Sequence, residues 1–206
     1  YNYVMRSLIG RKIVIASHNN GKVSEIKKIL DPFKLDIITN KELGLIEPEE
    51  NGETFKENAL IKSLFAAKNS GFVALSDDSG ICINALDGKP GIHSARIAGK
   101  NKNFKKAMEK LYYKIKNKTD KSCKFVCTLS LCWPDGYNIT VTGEVCGNYV
   151  WPPKGDLGFG YDPIFLPNGF IKTFGEMNPL DKHSISHRQV AFQKLTNKFS
   201  FAFESV

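Results

Sequence analysis

Phe125-Val126-Cys127-Thr128-Leu129-Ser130-Leu131-Cys132-Trp133, then Pro134-Asp135-Gly136, then the run from Tyr137 to Val150, is the stretch that decides the fold. Phe125, Cys127, Leu129, Leu131 and Trp133 alternate with Val126, Thr128, Ser130 and Cys132. Period-two alternation is the mark of a strand, and Pro-Asp-Gly is a turn, so the segment reads as an antiparallel hairpin. A hairpin inside an alternating strand and helix pattern implies a mixed sheet rather than an all-parallel one.

That alternating pattern occupies the first half of the chain. Ile13 to Ala16 is a short buried strand, and Val23, Ile26, Ile29 and Leu30 mark one helix face. Leu35 to Ile38 reads as a second strand. Thr54 and Glu57 form a capping-box signal, and Phe55, Leu60, Leu64 and Ala67 carry a second helix to Gly71. Phe72 to Leu75 is a strand expected to end at Asp77-Asp78. Phe104, Ala107, Met108, Leu111 and Ile115 stripe a third helix, and a last helix follows Ser186, its expected N-cap. There are no repeats, low-complexity tracts or long linkers.

Hydrophobic content of 42% and charged content of 24% in 206 residues are ordinary for a globular domain with a sizeable core. No apolar run reaches the ~20 residues of a membrane span. Residues 1–10 are expected to be a leader or added residues, 1–4 being foreign to the chain and Met5 its natural start, and 11–206 a single domain. The net charge of +8 is concentrated: ten lysines between Lys100 and Lys124 face only Glu109 and Asp120. A solvated helix face accounts for them better than nucleic-acid binding, because no arginine or aromatic ladder accompanies them. The five cysteines lack a C-x-x-C pair or zinc spacing, so they read as free thiols in a reducing, cytoplasmic setting.

Several phrases are poor core material. Gly155-Asp156-Leu157-Gly158-Phe159-Gly160-Tyr161-Asp162-Pro163 combines glycines that allow close approach with aromatics that can stack on a flat ring. Ser17-His18-Asn19-Asn20-Gly21-Lys22 joins a strand to a helix, where backbone N–H groups, the helix dipole and a lysine favour phosphate or simply cap the helix. It is not a Walker loop. Asp77-Asp78-Ser79-Gly80 lies between apolar runs, where an acid can cap a turn or hold Mg²⁺. Glu47, Glu49 and Glu50 precede Gly52, and Lys182 precedes Ser186-His187-Arg188.

In this order, from about Lys12 to about Leu195, these motifs resemble the inosine triphosphate pyrophosphatase family, which hydrolyses non-canonical purine nucleoside triphosphates. The resemblance implies an α/β fold, a mixed twisted sheet with helices and two lobes flanking a central substrate cleft. It also implies a homodimer, Mg²⁺ as cofactor, and release of pyrophosphate from ITP, dITP or XTP. It places the metal on Glu49 and Asp78, with Asp78 as general base or chiefly metal ligand. It assigns the substrate to Ser17, His18, Asn19, Asn20, Gly21, Lys22, Ser79, Phe159, Gly160, Tyr161, Asp162, Lys182, His187 and Arg188. Phe159 would stack on the purine, and His187 and Arg188 would donate to its C6 keto oxygen. Asn51 stands where the family has threonine and Gln189 where it has glycine. Pro90-Gly91-Ile92-His93-Ser94-Ala95-Arg96 matches a further family phrase, with His93 a tolerated substitution and Arg96 either a phosphate ligand or, the favoured reading, a structural ion pair. The alternatives are a pyrophosphatase for other modified nucleotides and, from another class, a basic nucleic-acid-binding module.

Overall fold

In the computed structural model the described residues are Leu8 and 11–201. The strands are β1 (Lys12–Ile15), β2 (Asp36–Thr39), β3 (Val73–Ile83), β4 (Ser122–Cys132), β5 (Asn138–Tyr149) and β6 (Phe165–Pro167). The helices are α1 (Asn20–Leu30), α2 (Phe55–Ser70), α3 (Phe104–Ile115), α4 (Pro179–Ile185) and α5 (His187–Thr196). They build one six-stranded mixed sheet in the order β2-β1-β3-β4-β5-β6. β1 runs parallel to β2 and β3, whereas β3 to β6 are antiparallel. The expected hairpin is β4–β5, paired from Ser122 and Asn148 to Cys132 and Asn138.

The long strands β3, β4 and β5 each serve two cores. Val73, Leu75, Leu129, Leu131 and Val141 pack with Ile26, Leu30, Phe192 and Leu195 in the first. Ile81, Ile83, Cys123, Phe125 and Tyr149 pack with Leu111, Ile115, Phe165 and Phe174 in the second. These are the two lobes, and the middle of β3, Asp77 to Gly80, falls where one core ends and the other begins. Leu8 is buried in the first core; apart from it, the expected leader 1–10 lies outside the described residues.

Two sequence expectations change. β3 does not stop at the Asp pair but runs through it to Ile83. The strand continues because its polar side chains find partners: Ser76 Oγ donates to Ala59 O at 2.5 Å, and Asp77 meets cations and a thiol. The buried face of α2 is not the one marked by Phe55, Leu60 and Leu64. It is Asn58, Ala59, Lys62, Ser63, Ala66 and Ala67. That face is small and polar because it meets a sheet surface bearing Ser76 and Ser130, the latter 2.9 Å from Ser63 Oγ.

Caps follow the sequence closely. Thr54 and Glu57 form the reciprocal capping box of α2. Ser186 caps α5 by accepting from Gln189 N. α4, not foreseen, starts from Asn178, whose side chain accepts from Leu180 N and Asp181 N. α5 lies close on the sheet because Gly143 on β5 has no side chain; a Cβ there would collide with His187 O and Ala191 N. All five cysteines are free, four of them buried and Cys146 exposed. Among the described residues, no helix is long and apolar enough to cross a membrane.

Candidate active site

A cleft of about 590 Å³ opens between the lobes. Of the residues expected to bind substrate or metal, Ser17, His18, Asn19, Lys22, Glu49, Asp78, Ser79, Phe159 to Asp162, Lys182, His187 and Arg188 all line it. Asn20 and Gly21 do not: Asn20 is exposed, and Gly21 seats the Phe159 ring, whose Cγ and Cδ1 would lie 2.9 Å from an added Cβ.

The phosphate-type loop is partly self-satisfied. Asn19 Oδ1 accepts from Gly21 N at 3.0 Å and Lys22 N at 3.2 Å, and Asn19 N donates to Ser17 Oγ. Asn19 thereby caps α1, a contribution of about 1 kcal/mol, so the charge that reaches the cleft from this loop is that of Lys22. His18 Nε2 lies 3.0 Å from Leu45 O and ties the loop to the acidic segment containing Glu47 and Glu49.

Strand alternation separates the two aspartates. Asp77 faces α1 and α5 and is fully buried. Its carboxylate pairs with Lys22 and Arg188 and accepts from Cys127 Sγ at 2.9 Å. Burial alone would raise its pKa, but Arg188, Lys22 and the Cys127 thiol outweigh that and hold it well below the usual carboxylate range. Asp78 points to the α2 side, where Lys62 Nζ is 3.8 Å from its Oδ1. Here burial outweighs Lys62 and Lys22, and the pKa is raised. Lys62 also meets Glu50 Oε1 at 2.5 Å and stays charged, because Asp78 and Glu50 overcome its desolvation.

Beyond Asp77 the charges alternate. Arg188 also pairs with Glu25, Glu25 with Lys182 at 2.8 Å, and Lys182 with Asp162 at 2.7 Å. Asp162 Oδ2 accepts in turn from Phe159 N at 2.8 Å. Gly158, at φ 77°, leaves the space that this carboxylate occupies. Lys182 Nζ sits 4.7 Å from the Phe159 ring centroid. A chain of side chains thus runs from the Lys22 loop to the aromatic loop. His187 stacks on Phe125, with ring centroids 4.8 Å apart. Burial, with Arg188 beside it, lowers its pKa to about 3, so it is neutral.

Lys62 and Glu25 were not anticipated. Lys62 had a legible signal, since it follows Ala59 by three residues and precedes Ala66 by four on one helix face. Glu25 had little: one acid after Lys22 on a surface helix looks solvated. Arg96, expected to be structural, donates to Glu50 O at 2.5 Å and His93 Nδ1 lies 3.1 Å from its Nη1, but it also lines the cleft.

The residues fit a divalent cation. Asp78 Oδ2 is buried and has no hydrogen-bond partner among the described residues. Among the described residues no three His, Cys, Asp or Glu side chains form a metal cage. That donor set suits Mg²⁺, which takes one or two carboxylates and completes its shell with water and phosphate oxygens.

Residues 13–198 match the Ham1 family. The chain belongs to the Ham1 family. It is 50% identical over 193 residues to a dITP/XTP pyrophosphatase of Zymomonas mobilis, covering 92% of each chain. It is 48% identical over 195 residues to one of Gluconobacter oxydans, covering 94% of each. The solved Ham1 protein of Staphylococcus aureus superposes with a TM-score of 0.81 at 40% identity, covering 91% of this chain and 97% of that one. The HAM1 protein of Coxiella burnetii gives 0.80 at 37% identity, covering 91% and 97%. The resemblance read from the motifs is therefore a true family relationship, and the two-lobed α/β architecture is the fold of Ham1 proteins.

Proposed function

We propose that this Ham1 protein hydrolyses non-canonical purine nucleoside triphosphates to the monophosphate and pyrophosphate, acting on dITP, XTP and ITP with Mg²⁺. The enzyme class rests on the relatives named dITP/XTP pyrophosphatase. The single observation that carries the chemistry is the unpartnered Asp78 Oδ2 in the cleft wall beside Lys62.

In this reading Lys22 and Lys62 lie along the phosphates and offset their charge. Water attacks the α-phosphorus, the bond from α-phosphorus to the bridging oxygen breaks, and pyrophosphate leaves. Asp78 accepts the water proton, a role suited to a carboxylate whose pKa burial has raised. Glu49 and Asp78 would hold Mg²⁺, which when bound neutralises phosphate charge and lowers the pKa of a bound water.

The base lies on Phe159. His187 supports selectivity, because its buried Nδ1 has no partner among the described residues. Arg188 adds a rigid donor: Nε and Nη2 serve Asp77, Nη2 also Ser79 Oγ at 3.4 Å, and Nη1 Glu25. One of its five N–H groups remains. A C6 keto oxygen accepts from such donors, whereas the amino group of adenine leaves them unpaired, a mismatch that costs up to ~10⁴-fold. Asp162 Oδ2 accepts from Lys182 and Phe159 N and shapes the loop. A homodimer in the cytoplasm completes the proposal.

The test is pyrophosphate release from dITP, XTP, ITP, ATP and GTP with and without Mg²⁺. Selective, Mg²⁺-dependent release from the first three supports the reading. Release only from other modified nucleotides would transfer the activity to that class, and no release would overturn it.

A further inference from the structure

Ten lysines lie between Lys100 and Lys124, and the reading above gives them no role. The structure separates one from the rest. Lys102 lines the cleft with Phe104, whereas the lysines of α3 and beyond do not. It is held by a tight turn: Lys102 N donates to Gly99 O at 2.9 Å, Asn103 N to Ala98 O at 2.8 Å, and Lys102 itself sits at φ 50°. Asn103 then caps α3 by accepting from Lys106 N at 3.0 Å. Phe104 pins the far side, its ring edge-on to Tyr161 with centroids 5.2 Å apart.

The charge balance of the cleft makes this position distinctive. Its lysines and arginines are Lys22, Lys62, Arg96, Lys102, Lys182 and Arg188. Lys22 is paired with Asp77, Lys62 and Arg96 with Glu50, Lys182 with Glu25 and Asp162, and Arg188 with Asp77 and Glu25. Lys102 has no carboxylate partner among the described residues. A nucleoside triphosphate brings several negative charges into a cleft whose other cations are already matched by internal acids. The uncommitted cation at its edge then contributes most per charge to attracting and holding that tail.

We propose that Lys102 is a further substrate-binding residue, taking a phosphate of the nucleotide at the mouth of the cleft. As to substrate, this rests on the pyrophosphatase reading. The test is calorimetric titration of dITP and of deoxyinosine, in EDTA at low ionic strength. It compares the wild-type protein with Lys102→Gln, Lys102→Glu and, as control, Lys110→Glu on the exposed side of α3. We expect Lys102→Gln to weaken dITP about 3- to 10-fold and Lys102→Glu more, with deoxyinosine unchanged and Lys110→Glu within about twofold. The differences should shrink in high salt. The inference is overturned if the Lys102 variants bind dITP as the wild type does, if Lys110→Glu weakens it equally, or if deoxyinosine weakens in parallel. Pyrophosphate release by the wild type, assayed beside it, separates the two claims. Lys102-dependent binding without release would sink the pyrophosphatase reading alone; release with Lys102-independent affinity would sink this inference alone.

Discussion

Arg188 donates from both Nε and Nη2 to one oxygen of Asp77, at 3.0 and 2.9 Å, with both side chains sealed from solvent. The pair joins the start of α5 to the middle of β3. It explains why two adjacent aspartates behave oppositely. Asp77 is consumed as a counter-ion, while Asp78, one residue along and on the other face, keeps an oxygen free.

Asp78→Asn tests that division. The substitution preserves shape and removes the charge that would bind Mg²⁺ or accept a proton. We expect turnover of dITP to fall by at least ~10²-fold, with circular dichroism unchanged. Near-normal turnover at saturating Mg²⁺ would sink the assignment.

Replacing Arg188 probes base choice and stability together. Arg188→Ala leaves the buried Asp77 with Lys22 as its remaining cation and Glu25 with Lys182, a loss of about 3–5 kcal/mol visible in urea melts. Arg188→Lys keeps the charge but not the fork, and is the better kinetic variant. We expect it to cost ITP and XTP about 2–4 kcal/mol in catalytic efficiency, with ATP changing far less. Equal losses for both would mean that Arg188 does not read the base.

His187 makes stability pH-dependent. Its folded pKa of about 3 lies below its ordinary value of 6.5. The unfolded chain therefore binds a proton first as pH falls. The stability contribution is complete above 6.5 and is lost progressively towards 3, at about 1.4 kcal/mol per pH unit. His187→Phe keeps the stack on Phe125 and removes the proton. Between pH 6.5 and 4.5 its unfolding free energy should fall less steeply than that of the wild type. Parallel slopes would show that His187 is not buried neutral.

Much of the site was legible because its residue types are costly elsewhere. Glycines beside aromatics in the 155–163 loop and an Asp pair in an apolar run stand out from ordinary core sequence; Phe159 to Asp162 and Asp78 line the cleft, while Asp77 is buried behind it. The apolar stripe of α2 misled, because its buried face meets serines of the sheet and so is made of Ala, Ser, Asn and Lys. Periodicity reports which residues avoid water, not which polar residues find partners inside.

By itself the sequence determined four of the five helices and most strands, the caps of α2 and α5, the antiparallel hairpin and the order of the motifs, since these depend on neighbours a few residues apart. Only the tertiary structure decided which aspartate is spent and which is open. It also decided that Glu25 ties Lys182 to Arg188, and that one of ten clustered lysines lines the cleft without a carboxylate partner among the described residues. Those outcomes depend on burial and on charges brought together across more than a hundred residues, as Asp77 and Arg188 are. At such separations electrostatics answers to distance in space and not to position in the chain.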